Sequence, residues 1–334
     1  MPKNYEIVVW FKIKDYLCRE MRYHSFYNYL IALLTVAFMV AMAEQFGQRA
    51  MIYPPIAALA TGLFISDRRP WRVQLWQIPV LLTLGAVIGI SLERWLFFTP
   101  VTALLIAFLL SGFVLMAFRS TLFPTVATTM LPIILHLSTW FYPLSVVLIS
   151  STMVLVDYGA IQLGWKRETI FQPLRRGILK RRRQWMLMAV GILPLLLLAD
   201  YGSHSALMAP PLMVVYATLC QPGNPLRYHP HRLLCTLLLT ACCGVIGKVV
   251  LLTILGWPLF IVMPLTFLAA LFVLKRFHIL MPPLAALSLL PFVMNGSVWT
   301  YPFYVVVGAA YLFLCSRTNW RVLKAVRVIS NDGK

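Results

Sequence analysis

The sequence predicts an all-α polytopic membrane protein, with about twelve transmembrane helices arranged as two parallel six-helix repeats. Its composition is the first reason. Hydrophobic residues make up 60% of the 334 residues and charged residues 12%, against roughly 45–50% and about 25% in soluble domains. At about 20 residues per spanning helix, this length accommodates about a dozen helices joined by short loops. The other two reasons are a proline-interrupted apolar stretch that occurs twice and a one-sided distribution of positive charge.

The N-terminal residues 1–25 mix charged and apolar side chains. They have no continuous apolar core followed by a small-residue cleavage site, so a cleaved signal peptide is not expected. An amphipathic helix at the cytoplasmic face is predicted instead. The rest of the chain divides into a first membrane repeat (26–164), a basic cytoplasmic linker (165–183), a second membrane repeat (184–317) and a cytoplasmic tail (318–334).

Apolar runs predict six spans in each repeat. Those of the first repeat lie near 27–46, 51–66, 73–92, 100–117, 120–137 and 141–162, and those of the second near 184–200, 205–221, 232–254, 256–274, 279–294 and 300–316. Several of these segments are short and contain proline, so the pattern leaves open whether they are re-entrant or split.

Positive charge lies almost entirely on one side of this topology. Of the 29 Lys and Arg residues, only Arg49, Arg94 and Lys248 fall outside the segments expected on the side of the N-terminus. The positive-inside rule then places both termini in the cytoplasm of a cell inner or plasma membrane. The net charge of +19 is thereby explained without nucleic acid, and membrane lipids are the expected partners. Homo-oligomer formation is left open.

Four landmarks indicate an internal duplication. They are Tyr53-Pro54-Pro55 with Ala209-Pro210-Pro211 at an offset of 156 residues, Val87-Ile88-Gly89 with Val245-Ile246-Gly247 at 158, Pro124 with Pro282 at 158, and Trp140 with Trp299 at 159. Because each repeat has an even number of predicted spans, the two repeats are expected to run parallel, related by an axis along the membrane normal.

The prolines of the repeated stretch are the first candidates for a substrate-binding site. Proline lacks a backbone N–H and clashes with the carbonyl four residues earlier, so it breaks or kinks a helix. Carbonyls freed in this way, and new helix N-termini that favour anions, can face a ligand. Alternatively, these prolines simply start membrane helices. The residues concerned are Pro54, Pro55, Pro124, Pro210, Pro211, Pro282 and Pro283.

Polar residues near the first-repeat prolines are the second candidates. Hydroxyl groups beside Arg119 could coordinate an anion, or they could satisfy backbone groups and allow close packing. They belong to Ser120, Thr121, Thr125 and Thr128. Lys248 lies within the ninth predicted span, where a charge is costly, and it could bind an anion or extend outward to the membrane surface. Arginines in the cytoplasmic loops either fix topology or form an anion vestibule.

Four aromatic residues lie at the expected external boundary, namely Trp140, Tyr142, Trp299 and Tyr301. Such residues typically form a belt at the membrane interface. Stacking on an aromatic substrate is the alternative.

The segment APPLMVVYATLCQPGNPLRYHPHRLLCTLLLTACCGVIG, followed by FHILMPPLAALSLLPFV, resembles the HPP family of integral membrane proteins. In that family a proline-rich helix leads into a QPRN-like loop, a glycine-containing helix and a His-Pro-Pro motif. Gln221, Pro222 and Asn224 match the loop, and Pro282 and Pro283 match the motif. Met281 stands in place of the signature histidine, with His278 three residues earlier. The likeness covers 205–316 and, more weakly, 48–160.

Members of the HPP family in plants and cyanobacteria are associated with nitrite transport. The resemblance therefore implies a transporter or channel for a small solute, with a small anion such as nitrite as the first candidate. A more distant resemblance to fusaric-acid-resistance and aromatic-acid exporters gives the runner-up, an exporter of aromatic or drug-like weak acids. A noncatalytic membrane scaffold is the third possibility.

Catalytic and metal-binding signatures are missing from the sequence. It contains no HExxH, GxSxG or Walker loop, and its six cysteines have no disulfide or metal spacing. We therefore expect no enzyme activity, no cofactor and no metal.

Overall fold

The computed structural model describes residues 26–66, 69–95, 99–163, 178–202, 205–221, 224–294 and 298–332. All regular structure in these residues is helical. The helices are α1 (Phe26–Gln45), α2 (Pro55–Ala60), α3 (Gln77–Trp95), α4 (Pro100–Ala117), α5 (Pro124–Ile134), α6 (Phe141–Gln162), α7 (Ile178–Tyr201), α8 (Pro210–Leu219), α9 (Pro230–Ile246), α10 (Leu259–Arg276), α11 (Pro282–Val293) and α12 (Tyr301–Asp332). Two helices continue as wider π-helices, α2 over Thr61–Ile65 and α9 over Gly247–Ile254. The predicted all-α class is confirmed.

Seven helices of the described chain are long and apolar enough to cross a membrane, namely α1, α3, α4, α6, α7, α9 with its π-helical continuation, and α10. They identify a membrane protein. Four further apolar segments are shorter, with 10–17 residues; three of them begin with proline, and the fourth, Arg49–Ile65, contains α2. A helix of α5's length, 11 residues, extends about 16 Å, roughly half the hydrocarbon thickness of a bilayer. These segments are therefore not complete spans, and twelve full spans are not confirmed.

The four short helices, α2, α5, α8 and α11, will be called the proline helices. Each has proline at its first or second position, where the missing N–H would have had no intrahelical partner. The prolines thus start these helices instead of interrupting longer ones. This agrees with the plainer of the two sequence interpretations.

The proline helices pack against one another across the two halves of the chain. Helix α2 packs on α11, α5 packs on α8, and α8 also contacts α11. The longer helices surround them in recurring pairs: α3 packs on α4, α5 and α6, and α9 packs on α10, α11 and α12. Further contacts connect the halves. Helix α4 packs on α7, and the Lys275 ammonium of α10 lies 5.7 Å from the ring centroid of Tyr29 in α1.

Glycines allow the long helices to approach the proline helices closely. A Cβ placed on Gly89 would meet the Thr129 carbonyl and Pro132, and one placed on Gly244 would meet the Ser288 carbonyl and Pro291. Gly89 therefore corresponds in position to Gly244.

The predicted pairing of Gly89 with Gly247 is wrong. Gly247 instead faces Thr266 of α10. The offset between the two halves is not constant, because Gly89 precedes Thr129 by 40 residues whereas Gly244 precedes Ser288 by 44. The second half has a longer helix at this point, α9 with its π-helical continuation.

A buried ion pair holds the loop after α2 against α6. Arg69 donates from Nη2 to Asp157 Oδ2 at 2.6 Å, and the two side chains are 7% and 0% exposed. The same loop carries Trp71, whose ring covers Gly62 in the π-helical end of α2. Asp157, conspicuous in the sequence as an acid within an apolar span, is thus a structural partner of the loop.

Two of the predicted segments, the linker and the tail, contain helical residues. Helix α7 begins at Ile178, so the last residues of the predicted linker 165–183 are helical, and α12 continues to Asp332 through most of the predicted tail 318–334. A continuous helix satisfies its own backbone hydrogen bonds. It can therefore extend beyond the apolar residues from which the span was predicted. The predicted amphipathic segment 1–25 and residues 165–177 of the linker lie outside the described residues.

We predict that Gly244→Ala destabilises the protein. The added Cβ would lie 2.5 Å from the Ser288 carbonyl oxygen, and such overpacking costs about 1–3 kcal/mol. Thermal unfolding of purified protein in detergent measures the effect. The matched control is Gly159→Ala in α6, where a Cβ meets nothing within 4 Å and helix propensity favours alanine by about 0.5–1 kcal/mol. Equal melting temperatures for the two variants would contradict the packing role of Gly244.

We predict that Asp157→Leu lowers the free energy of unfolding by about 3–5 kcal/mol, because Arg69 is left buried without its counter-ion. The double variant Arg69→Leu/Asp157→Leu should recover most of this loss, since it removes both charges. Thermal unfolding of the purified protein in detergent measures the stability of the single and the double variant. If the double variant were no more stable than Asp157→Leu, the loss of stability would not come from the unpaired charge of Arg69.

Candidate functional site

The first turns of the four proline helices meet at one point, which we call the proline junction. Each helix contributes a proline and the residue three positions later, which lies on the same helix face. Together they line a cavity of about 10 Å³, room for about one water molecule. The lining residues are Pro55 and Ala58 of α2, Pro124 and Ala127 of α5, Pro211 and Val214 of α8, and Pro283 and Ala286 of α11.

The cavity brings together four of the predicted site residues, Pro55, Pro124, Pro211 and Pro283. It also changes their pairing, because Pro124 shares the junction with Pro283, not Pro282. The neighbouring prolines Pro54, Pro210 and Pro282 are buried beside the junction without lining it. They occupy the cap or first position of their helices.

The backbone N–H groups at the starts of the proline helices are already used. Ile56 N–H donates to Tyr53 O at 3.0 Å, Thr125 N–H to Leu122 O at 3.1 Å, Leu212 N–H to Ala209 O at 2.9 Å, and Leu284 N–H to Met281 O at 3.0 Å. Proline itself has no N–H to offer. The predicted use of these helix starts as anion-binding donors is therefore not supported by the geometry.

The chain reverses direction before α5 and α11 with the same backbone geometry. Arg119 and His278 both adopt left-handed backbone angles, with φ of 50° and 51°. The next residues, Ser120 and Ile279, donate their N–H groups to Leu115 O and Leu274 O, which is the Schellman pattern of a helix end. The side chains of Arg119 and His278 are exposed at these turns and do not line the proline junction.

Arginines hold the two loops that lead into α5 and α11. Arg181 donates to the carbonyl of Ser120 at 3.0 Å, and Arg232 donates to the carbonyl of Phe277 at 2.6 Å. The carbonyl of Ser120 lies four residues before Pro124 and so belongs to the carbonyls that the sequence predicts to be free for a ligand. It is instead occupied by a guanidinium. With Arg69 paired to Asp157, these contacts favour a structural role for arginines near the loops over an anion vestibule.

The polar residues of the first half mostly serve the backbone. Thr121 Oγ1 accepts from Arg72 N–H at 2.8 Å, and Ser120 Oγ accepts from Leu122 N–H at 3.1 Å. Thr128 donates to Pro124 O at 3.0 Å. Because its proton is used there, the Tyr53 hydroxyl is the donor in the 2.6 Å bond between Tyr53 and Thr128.

Thr125 is the exception. Its side chain is fully buried, and its hydroxyl has no hydrogen-bond partner within the described chain. Buried polar groups without partners are rare. Thr125 follows Pro124 directly, next to the proline junction, and its methyl group lies close to Gly85 of α3.

Two tyrosines that were predicted to lie in an interfacial belt are buried instead. Tyr142 donates to Thr128 O at 3.0 Å and Tyr301 donates to Leu287 O at 2.9 Å, each across 14 residues. Their exposed fractions are 0% and 2%, whereas Trp140 and Trp299 are 45% and 70% exposed. The belt interpretation therefore fits the tryptophans alone. The tyrosines face inward because each one binds a carbonyl of a proline helix.

Lys248 and Asn224 are tied to helix ends. Lys248 Nζ donates to Pro291 O at 2.7 Å and Met294 O at 2.9 Å, so it caps the C-terminal end of α11, about 12 Å along the helix from Pro283. Asn224 accepts from Leu226 N–H and donates to Thr218 O, both at 3.0 Å. Neither residue lines the proline junction.

Arg227 also serves the end of α8. It is 4% exposed and donates to the carbonyls of Leu219 and Gln221. Burial lowers the pKa of this guanidinium from its ordinary value, but arginine pKa values are so high that it keeps its charge at neutral pH.

Sequence reasoning missed the small residues that complete the cavity, Ala58, Ala127, Val214 and Ala286. A signal existed, since each lies three positions after a proline that begins a helix. Alanine and valine are common in apolar helices, however, and only the convergence of the four helices distinguishes these positions.

We predict that Thr125→Val raises the melting temperature, because it removes a buried hydroxyl without a partner, a defect that costs about 1–3 kcal/mol. The matched control is Thr129→Val one helical turn later. It removes a hydroxyl that donates to Thr125 O at 2.9 Å and should leave stability unchanged or lower. Thermal unfolding in detergent measures both, and a destabilised Thr125→Val variant would indicate a partner for the Thr125 hydroxyl.

Comparison with models of known protein families gives no match for this chain, and the comparisons with curated proteins and with solved structures give none either. The resemblance to the HPP family therefore stays a prediction that depends on the motif residues of the sequence.

Proposed function

We propose that this protein is a membrane transporter or channel for a small solute, with the proline junction as its constriction. The observation that carries the proposal is the convergence of four short helices on one small cavity. Short helices that start inside a protein leave backbone at membrane depth, which is tolerated where it is buried in protein or lines a pathway. The proline helices have this form.

The proposal includes an architecture of two parallel repeats related by a twofold axis through the junction. Three recurring features support it. Helix α2 packs on α11 as α5 packs on α8, Arg119 and His278 share a strained backbone conformation, and Tyr142 and Tyr301 make the same bond across 14 residues. With both termini in the cytoplasm of an inner or plasma membrane, as the charge distribution favours, the axis would run along the membrane normal.

The size of the cavity distinguishes the remaining candidates. A cavity of about 10 Å³ is far below the roughly 300–1,000 Å³ of sites for drug-sized ligands, which disfavours an exporter of aromatic weak acids. The close packing of the junction favours a noncatalytic scaffold as the second candidate. Resemblance to the HPP family favours a small anion such as nitrite, whereas the lining of the junction favours an uncharged solute.

We predict that Ala286→Val reduces solute flux in proteoliposomes, because it adds two methyl groups to the constriction. An added barrier of about 1 kcal/mol corresponds to a roughly fivefold lower rate. Val214→Ala should have the opposite effect, since it widens the same point. Valine occupies the corresponding position of α8, so a residue of this size is compatible with a proline helix.

The matched control is Ala269→Val on the exposed face of α10, which should leave flux unchanged. Equal flux through Ala286→Val, Val214→Ala and the unmodified protein would place the pathway elsewhere. Absence of any protein-dependent flux would favour the scaffold.

A further inference from the structure

We infer that the solute passing the proline junction is a small uncharged molecule, of the size class of water or ammonia, and not an anion. This inference depends on the proposed transport function and deepens it. It follows from the chemistry of the atoms that surround the cavity.

Among the described residues, those that line the cavity include no ionisable or hydroxyl-bearing side chain. All eight lining residues are proline, alanine or valine. An ion in such surroundings loses its hydration without replacement, and this loss is prohibitive for a charged group and far smaller for a small neutral one.

The backbone around the cavity supplies no compensating donors for an anion. Anion sites at helix starts use free N–H groups. Here Ile56, Thr125, Leu212 and Leu284 donate their N–H groups to carbonyls at their own helix starts, and the prolines have none to donate. The junction therefore lies at helix N-termini, as anion sites do, but it lacks the free N–H groups that bind an anion there.

Three cationic side chains of the surrounding segments are engaged elsewhere, and Arg119 is exposed at its turn and does not line the cavity. Lys248 caps the far end of α11, Arg181 binds the carbonyl of Ser120, and Arg232 binds the carbonyl of Phe277. Cations are disfavoured for a separate reason, because the helix starts around the cavity carry the positive ends of helix dipoles. The junction is thus unfavourable for ions of either sign.

One group beside the junction has unused hydrogen-bonding capacity, the hydroxyl of Thr125. A hydroxyl both donates and accepts, so it can pair with a neutral polar molecule that does the same. It carries no charge to offset that of an anion. This asymmetry between the halves, with Leu284 at the corresponding position of α11, leaves one hydroxyl with unused hydrogen-bonding capacity next to the residues that line the cavity.

Purified full-length protein in liposomes tests the inference. Water permeability is followed by stopped-flow light scattering, ammonia entry by an internal pH-sensitive dye, and entry of nitrite and of chloride by anion-sensitive probes, each against protein-free liposomes. We expect protein-dependent permeability to water, ammonia or both, with nitrite and chloride at the protein-free level. Protein-dependent entry of nitrite or chloride would overturn the inference while leaving the transport function standing. If none of the four probes shows protein-dependent flux, the inference and the proposed function both fail.

A near-isosteric variant tests the role of the apolar lining. Val214→Thr adds a hydroxyl to the cavity with little change in volume, and it should raise the permeability to neutral solutes severalfold because apolar constrictions limit passage by excluding water. Nitrite entry should stay at the protein-free level. Val190→Thr on the exposed face of α7 is the matched control. Unchanged neutral permeability in Val214→Thr, with a folded protein by thermal unfolding, would count against the junction as the selective point.

Discussion

Proline's missing N–H and restricted backbone angle shape the centre of this protein. A proline at the start of a helix needs no intrahelical partner and prevents the helix from extending backward. Four helices begin in this way, and all four starts meet at one cavity. The N–H groups that follow these prolines donate to carbonyls at their own helix starts, so within the described chain these groups are not available to bind a solute. The result is a narrow, apolar contact among helix starts, where an ordinary bundle would place the middles of its helices.

Most polar residues near this contact stabilise the short helices and the loops that precede them. Tyr142 and Tyr301 bind carbonyls of α5 and α11, Lys248 caps the end of α11, and arginines bind the entering loops. An unpaired carbonyl is costly in an apolar environment. Each of these hydrogen bonds therefore satisfies a backbone carbonyl in or near a short helix. Glycines on α3 and α9 contribute in another way, since they let long helices pack directly on the backbone of α5 and α11.

The two halves share this framework but differ in polarity. The first half places Thr125, Thr128 and Thr129 on α5, and the second half has Leu284, Leu287 and Ser288 at the corresponding positions. The backbone geometry is retained because it depends on prolines, glycines and buried tyrosines, which recur. The side chains between these fixed positions differ, and Thr125, with its unpartnered hydroxyl, is the clearest case. A single hydroxyl beside an apolar constriction is consistent with a pathway for uncharged molecules.

Composition and pattern were sufficient for the all-α membrane class and for the approximate helix positions, because apolar runs must be long enough to leave water and prolines mark helix starts locally. They also indicated an internal duplication, although the pairing of Gly89 needed correction, since residues added within a helix shift an offset without leaving a visible gap. Tertiary structure alone decided which residues meet. Pro55, Pro124, Pro211 and Pro283 are far apart in the chain, and their convergence with Ala58, Ala127, Val214 and Ala286 depends on packing between the halves. The partners of Lys248, Asp157 and Tyr301 were equally hidden, because a buried polar side chain satisfies itself on whichever carbonyl or charge the fold brings near.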